Sequence, residues 1–296
     1  MRHKAQAGKS ALKANEARLG YLLIAPTVLL IAVVIIYPVF YNLWLSFHQV
    51  TLNPFKSDIF IGFGNYTNIL TDPEFWDSFR LSVIYTAATV VGATIAGLGV
   101  ALLLNRKFKG RGLVRGVMLL PYVAPIISLV FVWQYLFHPE YGMVNYVLVD
   151  LLGVLPRKVD WVDSPQYALW MVIFFDIWHL FPFAFLMILA KLQSIPDSLY
   201  EAAEVDGAGT WKKFWHITLP ELQFILGSLV ILRWIWNFNK FDEIYLLTTQ
   251  VNVVPVYAYE TAFRSFQHGL AASITATLFV FSMILVLFTI KKVLKW

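Results

Sequence analysis

The chain has 296 residues, of which 59% are hydrophobic, 17% aromatic and only 14% charged, where an ordinary soluble domain carries roughly a quarter charged residues. It bears a net charge of +5, contains no cysteine and places its six histidines at 3, 48, 138, 179, 216 and 268 without ligand spacing, which excludes disulfides, thiolate catalysis and thiolate metal sites. Such a composition belongs to an all-α membrane protein rather than to a domain that buries its core in water.

Taken in order, the chain opens with a basic tail, residues 1–20, and a first apolar stretch, Tyr21–Leu45. A cleavable signal peptide has an apolar core of about 7–15 residues. This stretch is longer, so a retained helix is expected. Further spans of about 20 apolar residues are expected at Leu81–Leu104, Leu113–Leu136, Tyr167–Ala190, Leu222–Asn239 and Leu270–Ile290. Six spans put both termini on one side. Four divisions follow: the tail 1–20, a first span with its outside loop over 21–78, a transmembrane core over 79–290 containing the loop 194–220, and a tail 291–296.

Orientation is read from lysine and arginine, which accumulate in short cytoplasmic loops. Sixteen of the 23 cations fall on one side: Arg2, Lys4, Lys9, Lys13 and Arg18; Arg106, Lys107, Lys109, Arg111 and Arg115; Lys191, Lys212 and Lys213; Lys291, Lys292 and Lys295. The other side holds Lys56, Arg80, Arg157, Lys158, Lys240 and Arg264. Both termini are therefore expected in the cytoplasm. Topology explains the basic balance, and no nucleic-acid partner is needed.

Prolines 26, 38, 121, 125 and 182 interrupt several spans, which lipid tolerates where neighbouring helices re-satisfy the freed backbone groups. Gly92 with Ala96, and Ala93 with Gly97, are small pairs four apart that let helix backbones approach closely. Asn65-Tyr66-Thr67 has the glycosylation acceptor pattern and is read as chance. Gly8-Lys9-Ser10 resembles the end of a phosphate-binding loop, but His3 stands where its first glycine belongs. No nucleophile, base and metal-ligand set converges, so an enzyme is not expected.

The informative segment is the loop Ser194–Pro220. Ser198 and Glu201 have capping-box spacing, Gly207 and Gly209 suit the end of a short helix, Thr210 can cap a second, and Pro220 should stop or kink it. Leu199, Ala202, Ala203 and Val205 are small or apolar in a segment expected to face water, a surface that suits a partner groove.

Glu201, Ala202, Ala203, Gly207, Ile217, Leu219 and Pro220 match at fixed spacing the loop of permease subunits of ABC-type importers, which the chain thereby resembles. Ile61-Gly62-Phe63-Gly64-Asn65-Tyr66, Leu119-Leu120-Pro121-Tyr122, Leu192-Gln193-Ser194-Ile195-Pro196, Asp206-Gly207-Ala208 and Phe241–Thr248 extend the similarity to the sugar-uptake, maltose-type branch. Thr249-Gln250-Val251-Asn252 departs from that branch, where a Gly-rich turn is usual. The resemblance implies a type I importer permease fold in the bacterial cytoplasmic (inner) membrane. It also implies that Glu201, Ala202, Ala203, Asp206, Gly207, Ile217, Leu219 and Pro220 dock a cytosolic ATPase. The partners it implies are a second homologous permease, an ATPase dimer that binds the ATP and Mg itself, an extracytoplasmic solute-binding protein, the sugar and the bilayer. No cofactor or metal is expected in this chain.

For substrate, Arg233, Trp236, Asn237 and Lys240 fall within an arc of about 100° on an ideal helix. They could face an anionic sugar or glycoside. Alternatively Arg233 pairs with Asp176 and Lys240 sits at the membrane edge, leaving a path for a neutral oligosaccharide or polyol. A secondary transporter or channel built on Asp176 and Arg233 is the rival class, but it leaves the loop 194–220 unexplained. Orientation is checked by cysteines placed singly in this cysteine-free chain. Phe108→Cys and Lys212→Cys should react with an impermeant thiol reagent only from the cytoplasmic side, and Asp58→Cys and Asp160→Cys only from outside.

Overall fold

The computed structural model describes residues 18–51, 53 and 55–293, with side chains described as far as Leu287; Gly8-Lys9-Ser10, most of the expected tail 1–20 and the last three residues of the expected tail 291–296 lie outside these residues. Most of it is helical. The chain divides into two compact units, one from the described residues up to Ile69 with Thr261–Ala276, the other from Leu70–Glu260 with the residues from Thr277 onward.

In the first unit, helix α1 (Arg18–Ser46) buries none of its apolar residues. It leads into an antiparallel ribbon of β1 (His48–Gln49) and β2 (Ile59–Phe60), with His48 opposite Phe60, and then α2 (Gly64–Thr71). Asn65 at the start of α2 is buried, and its amide donates to the carbonyls of Ser46 at 2.9 Å and His48 at 3.0 Å. The Ile61–Tyr66 segment thus closes this unit's turn. Gly269 is required there because a Cβ would collide with the His48 carbonyl oxygen.

The second unit is built on α3 (Pro73–Asn105) and α7 (Ala168–Gln193). Asp72 caps α3, its side chain accepting from the Glu74 N–H at 2.9 Å. The small residues of α3 explain the pairing: a Cβ on Gly97 would lie 2.7 Å from the Cβ of Ala184 and 2.8 Å from the backbone nitrogen of Phe185, and one on Gly92 would collide with Ile177. Lipid tails are as apolar as leucine, so close packing rather than water exclusion holds such a pair. Two clusters of buried side chains flank it, one around Tyr85, Phe175, Ile244 and Leu247, the other around Leu104, Phe185, Ile188 and Leu222.

Between these two helices lie α4 (Arg111–Val123) and α5 (Ile126–Leu136), bent by 94° at Ala124-Pro125, and then α6, which is α-helical over Met143–Asn145 and π-helical over Tyr146–Leu151. After α7 come α8 (Asp197–Val205), α9 (Thr210–Phe238), α10 (Asp242–Leu247), α11 (Val254–Phe263) and α12 (His268–Val293). Among the described residues five helices are long and apolar enough to cross a membrane, or six if the bent pair is counted as one span. The expected span Leu113–Leu136, with its interrupting prolines, is thus two arms. A residue before proline is driven out of the helical region, and Ala124 is extended at ψ 145°.

Other prolines act differently. The helix passes through Pro182 unbroken, and it also continues through Pro38 and Pro220, against the expectation that Pro220 stops or kinks it. In both of those cases a π-helical turn, Ala32–Ile36 or Phe214–Thr218, precedes the proline. It contains the residue four back, whose carbonyl would otherwise meet the ring. At Gly97 the tolerance should be far smaller. Gly97→Val should destabilise the α3–α7 pair by about 1–3 kcal/mol or more, the usual range for overpacking, seen as a lower melting temperature of the purified protein, whereas Gly99→Ala, where a Cβ meets open space, should be nearly neutral.

Candidate functional site

Two sets of residues carry chemistry, both in the second unit. The first is the hairpin between α7 and α9. Helix α8 starts at Asp197 behind Pro196, with no side-chain cap, so the expected capping box of Ser198 and Glu201 is not made; Asp197 instead places its carboxylate in the first turn, where the helix dipole favours it. At the other end the N–H of Ala208 reaches the carbonyl of Ala203 at 2.8 Å and that of Gly207 reaches Glu204 at 3.0 Å, the double bond of a Schellman motif. Gly207 supplies the left-handed residue at φ +73°. Gly209 is extended rather than left-handed and stands at the cap of α9, so Thr210 is the first helical residue and not the cap.

Two side-chain contacts tie the arms together. Lys213 Nζ meets Glu204 Oε1 at 2.6 Å, and the Tyr200 hydroxyl and Thr218 Oγ1 share a hydrogen bond of 3.0 Å. The hydrogen bond and the charge of Lys213 hold the Glu204 carboxyl below the usual carboxylate range. Glu201, Ala202, Val205, Asp206, Gly207 and Pro220 are exposed, Ala203 and Leu219 are half-buried, and Ile217 packs into the core around Leu222. Val205 is 89% exposed, and Trp211 on the second arm 72%.

The second set surrounds the end of α9. Arg233 is 5% exposed, and its guanidinium lies over three rings, those of Phe183 at 4.6 Å, Trp236 at 5.6 Å and Tyr122 at 5.9 Å. Its Nη2 has no hydrogen-bond partner, nor has the Nδ2 of buried Asn237. Trp236 is half exposed. The expected Arg233–Asp176 pair is not made. Asp176, fully buried in α7, receives Lys240 Nζ at 2.7 Å on one oxygen and the hydroxyl of Tyr85 on the other, and Lys240 Nζ also meets Glu243 Oε1 at 2.8 Å. Lys240 is therefore held in a buried charged cluster rather than free, its side chain only 13% exposed. Helix α9 ends at Phe238, so the helical arc that grouped the four residues does not extend to Lys240.

Tyr85 and the ring partners Tyr122 and Phe183 were not singled out by sequence. Tyr122 stood in the Leu119–Tyr122 motif and Glu243 in Phe241–Thr248, but nothing in the spacing pointed to Tyr85. Among the described residues no three His, Asp or Glu side chains converge as a metal site would require. Gly207→Val would force a β-branched residue to positive φ, a cost of roughly 1–2 kcal/mol. It should leave membrane insertion unchanged while slowing hydrogen exchange less at the 202–208 amides than in the wild type; Gly209→Ala, with no such strain, should match the wild type.

The family described as "Binding-protein-dependent transport system inner membrane component" matches residues 90–295. Relatives include the inner membrane ABC transporter permease protein YcjO of Escherichia coli, 45% identical over 279 residues, covering 94% of this chain and 95% of the relative. The trehalose/maltose transport system permease protein MalF of Thermococcus litoralis is 42% identical over 240 residues, covering 81% and 80%. The sulfoquinovosyl glycerol transport system permease protein SmoG of Agrobacterium fabrum is 37% identical over 279 residues, covering 92% and 89%. Among solved structures, a chain of a bacterial ABC transporter involved in the import of the acidic polysaccharide alginate has the same fold, with a TM-score of 0.83, 22% identity and coverage of 96% and 98%. The chain belongs to the inner membrane components of binding-protein-dependent ABC transport systems, and it is a transport protein rather than an enzyme.

Proposed function

We propose that this chain is one of two permease subunits of an ATP-driven sugar importer, with both termini in the cytoplasm. The α8–α9 hairpin seats in a groove of a cytosolic ATPase, and the chain forms half of the translocation path, with the end of α9 facing it. The observation that carries the coupling role is the hairpin itself: an exposed surface of Glu201, Ala202 and Val205 presented on a turn that Gly207 and the Lys213–Glu204 pair hold in shape. An apolar and acidic surface of that kind suits a partner groove. The ATPase supplies the nucleotide and Mg chemistry, and a solute-binding protein delivers the sugar from outside.

Sugar as the substrate class is supported by the names of the relatives, which handle trehalose, maltose and sulfoquinovosyl glycerol. Arg233 supports an anionic sugar or glycoside: its unpartnered Nη2 and three surrounding rings leave a guanidinium able to fork a sulfonate, phosphate or carboxylate. Half-exposed Trp236 favours a second reading, a neutral oligosaccharide or polyol stacked on the indole. With Lys240 shared by Asp176 and Glu243, this reading assigns Arg233 as the cation that meets the substrate.

The test is the importer recovered through a tag on this chain and reconstituted in vesicles. A nucleotide-hydrolysing subunit should accompany the chain; its recovery alone would overturn the coupling role. With uptake of matched neutral and anionic sugars compared, Arg233→Gln should lower transport of the anionic sugar by about tenfold or more, the value of a charged hydrogen bond. Equal transport of both by the variant would select the neutral reading.

A further inference from the structure

Lys240 lies past the end of the helix that carries Arg233 and Trp236, and its ammonium is shared by two carboxylates, Asp176 at 2.7 Å and Glu243 at 2.8 Å. Its position in the chain gives those contacts a use. Helix α9 is 29 residues long, about 43 Å at 1.5 Å per residue, with the hairpin at one end and Lys240 just past the other. Only 17% of the residues in its apolar window are buried, against 61% in α7, and Gly227 faces open space. Helix α9 is thus a long element tied to its own chain at a few points, among them buried Leu222 and Leu229 and the Lys191–Glu221 pair, with most of its apolar window uncovered by this chain.

Beyond its end the hold is firm. The helix stops at Phe238, and Phe241 has left the helical region at φ −124°, ψ −54°. Helix α10 then sits in the core through Ile244 and Leu247, both at most 1% exposed, with the Gln134 amide donating to the carbonyls of Leu246 at 2.9 Å and Leu247 at 3.2 Å. Between α9 and the buried α10, Lys240 binds α7 through Asp176, which Tyr85 of α3 holds from the other side.

We propose that Lys240 is a positioning residue, the pin of a fulcrum at 239–241 about which α9 swings when the hairpin moves. Arg233 and Trp236 lie about two turns and about one turn before the pin, so their depth in the path is set by it. The cluster of Tyr85, Asp176, Lys240 and Glu243 transmits force and touches no sugar. This inference rests on the permease reading above, but on neither choice of substrate charge.

The experiment measures sugar moved per ATP hydrolysed, and the half-saturating sugar concentration, in the assembled importer. Without its pin α9 moves less with the hairpin, so Asp176→Asn and Lys240→Gln should each cut sugar per ATP by about fivefold or more while half-saturation stays within about twofold, the split expected of a group that does not bind ground-state substrate. Lys240→Arg, able to span both carboxylates, should restore the ratio. Because Lys240→Gln leaves buried Asp176 without a cation, it is the variant that can fail to assemble; Asp176→Asn/Lys240→Gln then carries the test and should be no worse than Asp176→Asn alone, since the two act as one unit. A half-saturation raised about tenfold with the ratio intact would make Lys240 a substrate contact and overturn the proposal, as would wild-type ratios in Asp176→Asn and the double variant. Failure of the permease reading is seen separately, as a wild-type chain with no ATP-driven uptake.

Discussion

Helices α3 and α7 approach so closely at Gly97 that a single methyl group would meet Ala184 and the backbone of Phe185. In hydrocarbon this steric fit replaces the water exclusion that organises a soluble core. What it fixes is a frame. Asp176, His179 and Phe183 all project from α7, and Tyr85 from α3, so the distances within the charged cluster and the ring cage of Arg233 depend on the register of these two helices. His179 adds a further tie, its Nδ1 lying 2.8 Å from the carbonyl of Pro121 at the broken span.

The same medium explains where the chain departs from regular helix. Lipid offers no hydrogen bonds to freed backbone groups, so each irregularity has a local remedy. At Pro38 and Pro220 a π turn widens the helix and the span goes on; at Pro125 the preceding residue has turned extended and the span breaks. The break brings Tyr122 to the rings of His179 and Phe183, at 6.1 and 5.9 Å between centroids. A local backbone preference thereby reaches the cage around Arg233.

Much of this was legible in the sequence, and for identifiable reasons. Apolar length located the spans, and the fixed spacing from Glu201 to Pro220 located the hairpin, because a left-handed turn at Gly207 admits few residue types. Cap assignments failed at Ser198 and Thr210, where one-residue shifts in helix start leave composition unchanged. Charge pairing failed for a different reason. Arg233 and Asp176 were matched as the two charges visible within spans, but Asp176 had closer partners in Lys240, which lies two residues past a helix end no spacing rule could fix, and in Tyr85, an aromatic residue among many. The roles of these residues in transport belong to no local pattern at all.

The buried amide of Asn65 has a consequence for making this protein. Both of its hydrogen bonds go to carbonyls of the segment 46–48, so the folded unit offers no free nitrogen at the Asn65-Tyr66-Thr67 sequon. In a eukaryotic expression host, a glycan could be attached only before this turn closes, and once attached it would keep the amide from its two carbonyls. Glycosylated chain in such a preparation would therefore mark the misfolded fraction, and its proportion would read the rate of folding of the first unit against the rate of the transferase.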